Sequence, residues 1–416
     1  MKFRLCLYAV ALTVMAPYAS AQNEASTATP AERRIKAARA SIAKHPTHAD
    51  AHADLALSLA MRARETADTA FYDEGLKAVE QALALDKANF AALRAQAWIL
   101  LGKHEFSKAL AVATTLNQRS GDDVMVYGFL SDAHTELGNY SEAEKATQWM
   151  LDLRPGNIPA LTRAAHLREL FGDPEGAIEL MQMAHQQLAE SETENRAWVL
   201  VQLSHLCLMQ GKIEDADRMA SQALRAFPGY HYALGQMAKV RRVQRRYAEA
   251  ATLEQKRFDA APHPENQFVL AQSLELAGRK VQAKRVFAEF ENRARAEMNG
   301  PDNANHELIF YYVDHARKPL EALKVARLEF ARRQDVHTLH AYAWALHATG
   351  KHAEARKHLE RALAVGIRDA ELYRHAARIA GAMKDDAGAK LYGHKAAELS
   401  RTSEIAHVSK QKLPAY

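Results

Sequence analysis

Residues 336–369 read VHTLHAYAWALHATGKHAEARKHLERALAVGIRD, two helical patterns parted by a single glycine. In the first, Leu339, Tyr342, Ala343 and Leu346 recur at three-and-four spacing, and Gly350 frees the backbone to turn. In the second, Ala355, Leu359, Ala362 and Leu363 share one face, opposite Glu354, Arg356, Lys357 and Glu360. Two stripes this narrow make too small a core to stand alone, so the hairpin must stack on others of its kind.

Copies run along the chain. Ala355, which opens the second helix, has counterparts at Ala109, Ala143, Ala177, Ala216, Ala250, Ala283, Ala322 and Ala389, spaced 34, 34, 39, 34, 33, 39, 33 and 34 residues apart. A column midway along the first helix reads Ala97, Ser131, Ala165, Ser204, Ala238, Ala271, Phe310, Ala343 and Ala377, small everywhere but at Phe310. Small side chains let helices approach closely. Gly138, Gly172, Gly211, Gly278 and Gly350 hold the turn, while Pro155, Pro228 and Pro262 fall where one repeat hands over to the next.

On these columns the chain resembles the tetratricopeptide repeat family, whose unit is a helix pair of about 34 residues. The resemblance implies an all-α, right-handed superhelical solenoid of stacked antiparallel helix pairs, about ten repeats over residues 33–400. Such a scaffold serves many partners, so the fold alone assigns no job.

Upstream, Lys2 and Arg4 precede the apolar run Leu5–Ala16, and Ala19-Ser20-Ala21 precede Gln22. That pattern is a secretory signal over residues 1–21, cleaved after Ala21, and it predicts a periplasmic location. A membrane anchor would need about 20 apolar residues; the run has 12. Cleavage takes the formal charge from +5 to +3, because the segment holds two bases and no acid. Near balance argues against a nucleic-acid binder. Cys207 is the one cysteine left, among Leu203, Leu206 and Leu208, and reads as a buried thiol.

Residues 22–32 read as a disordered leader, 33–44 as a capping helix and 401–416 as a polar tail. The first full repeat carries about seven extra residues around Arg64–Thr69, an irregularity of the kind terminal repeats show. Both 39-residue spacings follow the third repeat of a trio, at 191–195 and 299–303, which fits either an ancestral triplication or tolerance of a longer connection.

The chain has no nucleophile elbow, P-loop, H-E-x-x-H, C-x-x-C or dinucleotide fingerprint, and no cofactor is implied. The expectation is therefore a non-enzymatic scaffold whose concave groove, lined by first helices, holds a protein or peptide partner. Carried over from the family, the groove positions include Trp198, His205, Tyr232, Lys239 and Arg242, then Tyr311, Asp314, Trp344, Arg374 and Arg378. Aromatics and arginines are the side chains that make interface hot spots, although any of these aromatics can instead fill helix-to-helix core. Histidine offers a different reading. His337, His340 and His347 share a first helix at offsets of 3 and 7, on the face the family makes the groove. With neighbouring carboxylates they would suit zinc, nickel or copper, so the alternative is a metal- or small-ligand-binding protein.

Overall fold

A computed structural model describes residues 28–400; the signal read over 1–21, most of the leader and the tail at 401–416 lie outside the described residues. Among the described residues the regular elements are helices. A single helix, α1 (Pro30–Lys44), caps the array. It starts three residues ahead of the span read from sequence, because Thr29 and Glu32 form a capping box and Pro30 sits at its first position.

Ten antiparallel pairs follow among the described residues. They are α2 (Ala49–Thr66) with α3 (Ala70–Leu85), α4 (Phe90–Gly102) with α5 (Phe106–Arg119), and α6 (Val124–Glu136) with α7 (Tyr140–Leu153). Next come α8 (Ile158–Leu170) with α9 (Pro174–Gln187), α10 (Thr193–Met209) with α11 (Ile213–Ala226), and α12 (His231–Val243) with α13 (Tyr247–Ala260). The last four are α14 (Pro264–Leu276) with α15 (Lys280–Glu297), α16 (Asn305–Phe310) with α17 (Pro319–Arg332), α18 (Val336–Ala348) with α19 (His352–Val365), and α20 (Ala370–Ala382) with α21 (Asp386–Ser400).

The alanine column explains the stacking. Ala109, Ala143, Ala177, Ala216, Ala250, Ala322 and Ala355 are all fully buried where second helices meet first helices, whereas Ala389, in the last described repeat, is only half-buried. The exception in the other column is also visible. Phe310 is buried against the rings of His306, His340 and His375, and a wider π turn, Tyr311–His315, starts at the next residue. The first helices α2, α4 and α6 each pack on the first helix of the following repeat, as α10 does on α12, and α8 reaches α10 through Glu169 and His205, while second helices barely meet one another. First helices therefore lie on the shorter, inner circumference.

The superhelix also closes on itself, which neighbour-to-neighbour stacking does not predict. The α6–α7 turn reaches the α17–α18 junction, where Val336 N–H donates to the Tyr140 hydroxyl at 2.8 Å and Arg333 pairs with Glu136 at 2.9 Å, across 196 and 197 residues. The α8–α9 turn meets the α19–α20 junction, and a Cβ placed on Gly172 would lie 2.5 Å from the Gly366 carbonyl oxygen. Apolar packing runs across this part of the seam, since Ala143, Leu167 and Leu170 join the core cluster of Val336 and Ile367.

The length irregularities fall on the seam. The extra residues near Arg64 lengthen α2, whose end meets the 191–195 insertion through Arg64 with Glu194 and Asn195. The 299–303 insertion places Asp302 3.3 Å from His104. The 39-residue spacings thus mark places where successive superhelical turns touch.

Candidate functional site

The inner face is built from first helices, several of them started by a side-chain cap. Asn89, Asp123, Asn157, Asp335 and Asp369 each accept a hydrogen bond from a backbone N–H in the first turn. With their starts fixed this way, the helices present side chains from the same register positions in one repeat after another.

Among the groove candidates, Tyr232 is the aromatic that stays open, 41% exposed beside the rings of Tyr230 and His231. The charges of Arg64, Arg257, Glu194 and Glu265 all reach its hydroxyl. Lys239, two turns further along α12, is half-buried and has no side-chain partner among the described residues. Its surroundings and the Arg242 and Arg257 guanidinium groups pull its ammonium down from the usual range. His205 is held by Glu169 at 2.8 Å. Burial would raise the Glu169 carboxyl, but the His205 hydrogen bond and the nearby His166 imidazole outweigh it and hold it well below the usual carboxylate range. Trp198 is half-buried and packs into the clusters on both sides of its helix.

Two expected groove anchors are interior residues. Arg242 is 6% exposed and is held by Glu254 at 2.7 Å and the Ser273 hydroxyl at 3.0 Å, so it ties α12 to α13 and α14. Trp344 is 3% exposed and stacks on His375 with ring centroids 3.6 Å apart. The second aromatic zone nevertheless comes together around it. Trp344 donates its indole N–H to Asp314 at 3.1 Å, and the Arg378 guanidinium lies 5.8 Å from its ring centroid. Burial pushes Asp314 up to about 6 despite the indole N–H and Arg378, which both favour its charged form. Tyr311 stacks on Phe287 and donates to Glu291 at 3.3 Å, and Arg374 donates to the Ser400 hydroxyl at 3.1 Å.

The three histidines do not converge. His337 is exposed near His306, His340 is buried with its Nε2 2.8 Å from His375 Nδ1, and His347 lies against Trp344 and His352. Burial drives His340 down to about 3, and burial together with His352 and Arg378 drives His347 down to about 4. Among the described residues no group of three or more His, Cys, Asp or Glu side chains is placed to hold a metal ion. One-face spacing put the ligands on a helix but could not show that neighbouring rings claim them.

Two carboxylates that the groove reading missed face the interior without a salt bridge among the described residues. Glu265 is pushed up to about 7 by burial and by Glu307, and Glu371 to about 7 by burial and by Asp369. Both sit in the first turn of a helix, where an acid is ordinary, so nothing in their positions along the chain signals this. For Glu371 the folded carboxyl lies above its unfolded value, so its contribution favours the fold at low pH and is lost as pH rises through about 7. Glu371→Gln should therefore stabilise the protein by about 1–2 kcal/mol at pH 8 and leave it unchanged at pH 4. Thermal unfolding at the two pH values checks this, and an equal shift at both would contradict it.

Comparison with known proteins finds no matching family model and no matching curated protein. Solved structures do resemble it. PilW, a type IV pilus biogenesis factor, is 12% identical over 49% of this chain and 94% of its own, with a TM-score of 0.42. TTC0263, a thermophilic TPR protein of Thermus thermophilus, is 20% identical over 42% of this chain and 92% of its own, with a TM-score of 0.37. The human IFIT1 dimer with PPP-AAAA is 12% identical over 85% of this chain and 90% of its own, with a TM-score of 0.48. No helix among the described residues is long and apolar enough to cross a membrane. By its own near-34-residue period and its ten stacked helix pairs, the chain is a tetratricopeptide-like solenoid.

Proposed function

We propose that the protein is an exported, non-enzymatic scaffold that holds a polypeptide partner on its inner face. The observation that carries this reading is a set of inner-face groups that internal contacts leave unused. Tyr232 is open to water, and Lys239, Glu265 and Glu371 form no salt bridge among the described residues. A peptide supplies both charge signs and apolar side chains, so one strand can engage aromatic, lysine and carboxylates together. Export rests on the signal pattern, and a mature amino terminus at Gln22 is the expected result of terminal sequencing.

The test is site-specific photo-crosslinking in cells with a benzophenone amino acid at position 232 and, for comparison, at 281 on α15, where Val281 is 87% exposed. Position 232 should give a discrete protein adduct that survives nuclease, and position 281 none. An adduct removed by nuclease would replace the polypeptide with a nucleic acid. Equal adducts from both positions would dismiss the inner face.

A further inference from the structure

The seam has two unlike parts. From α6 to α9 it is closed by apolar packing and by backbone in contact at Gly138 and Gly172. From α1 to α4 it is held by polar contacts. Arg64 meets Glu194 and Asn195, His231 and His263 donate to the carbonyls of Arg64 and Ala67, and His104 lies beside Asp302. One apolar cluster joins Ala97 on α4 to Ala113, Phe129 and Leu130 on α5 and α6, but two others stay within the arm. One joins Ala56, Ala60, Val79 and Ile99, another Ala53, Ala82 and Ala92. A cleft of about 330 Å³ between α1, α2 and residues 191–195 shows that the two turns are not close-packed there.

We propose that α1–α4 form a clasp, a preformed arm that swings away from the second superhelical turn on its stacking contact with α5 and α6, and so opens the inner face beside Tyr232. The energetics favour this division. Arg64 and Glu194 sit 33% and 8% exposed, so their attraction is screened by salt only as the contact hydrates, and opening costs polar contacts that water replaces. Opening the other part would expose Val336, Ile367 and Leu170 to water, with no such replacement. Because the arm keeps its own core, it moves as a folded unit. When it leaves, the His231 and His263 imidazoles lose the carbonyls they bond at the end of α2 and Glu194 loses Arg64, all of them on the second turn near Tyr232. The closed ring thereby becomes a cleft that admits a chain from the side.

The inference rests on the inner-face reading, but its test uses the protein alone, so either can fail without the other. Nitroxide labels at Lys36→Cys and Lys256→Cys, in a Cys207→Ser background, report the arm by electron–electron dipolar spectroscopy. Labels at Lys145→Cys and Lys357→Cys report the packed part. At about 0.05 M salt the arm pair should give one dominant distance, and at about 0.5 M salt a second, longer one. Arg64→Glu should make the longer distance dominant, and Arg64→Glu with Glu194→Arg should return the short one, with the control pair unmoved throughout. An arm distance indifferent to salt and to Arg64→Glu would overturn the clasp. So would amide exchange showing that residues 30–102 unfold in Arg64→Glu, because the contact would then hold the fold rather than gate it.

Discussion

Trp344→Ala is expected to cost about 3–5 kcal/mol of stability, as emptying a buried tryptophan site usually does. The ring is 3% exposed and stacks on His375, so its loss opens a void between α18 and α20. It also strands Asp314, which keeps its burial but loses the indole N–H, and leaves Arg378 without an aromatic face. Denaturant unfolding followed by circular dichroism, with amide exchange over α16–α20, measures the effect. Tyr232→Ala, on an open site, should stay within about 0.5 kcal/mol. A loss below about 1 kcal/mol for Trp344→Ala would return that residue to the groove surface.

Gly138→Ala should destabilise the protein by about 2–4 kcal/mol, against about 1 kcal/mol for Gly278→Ala. Both glycines end a first helix in the left-handed region, at φ 81° and 77°. That conformation does not by itself demand glycine, because Ala67, His104, Arg245, Arg317 and Lys384 adopt it at the same turn in other repeats. What differs is the surroundings. A Cβ on Gly278 meets nothing within 4 Å, while one on Gly138 would lie 2.5 Å from the Gln334 carbonyl oxygen and 2.8 Å from its carbon. Backbone on both sides cannot rotate away, so the turns must part. Thermal unfolding of the two variants gives the difference, and equal losses would mean that the turns do not press together in solution.

The helix pairs and their stacking were legible because a near-34-residue period repeats the same alanine and the same turn many times over. The closure was not legible. A contact between residues 138 and 334 joins positions that no periodic signal links, and the insertions that serve it read only as irregular spacing. Residue type likewise marked Arg242 and Trp344 as anchors, yet whether a guanidinium or an indole faces water depends on Glu254 and His375, which arrive from other helices. Tyr232, marked by the same reasoning, is 41% exposed.

The contact between Gly138 and Gln334 also sets a clock. Tyr140 is bonded to a residue 196 positions later, and ribosomes add roughly 5–20 residues per second. An early repeat therefore waits roughly 10–40 s for the segment that covers its edge, during which Leu167, Leu170 and Tyr140 lie bare. A chain that must keep such an edge uncovered for so long is one for which a holding chaperone decides the yield of folded protein.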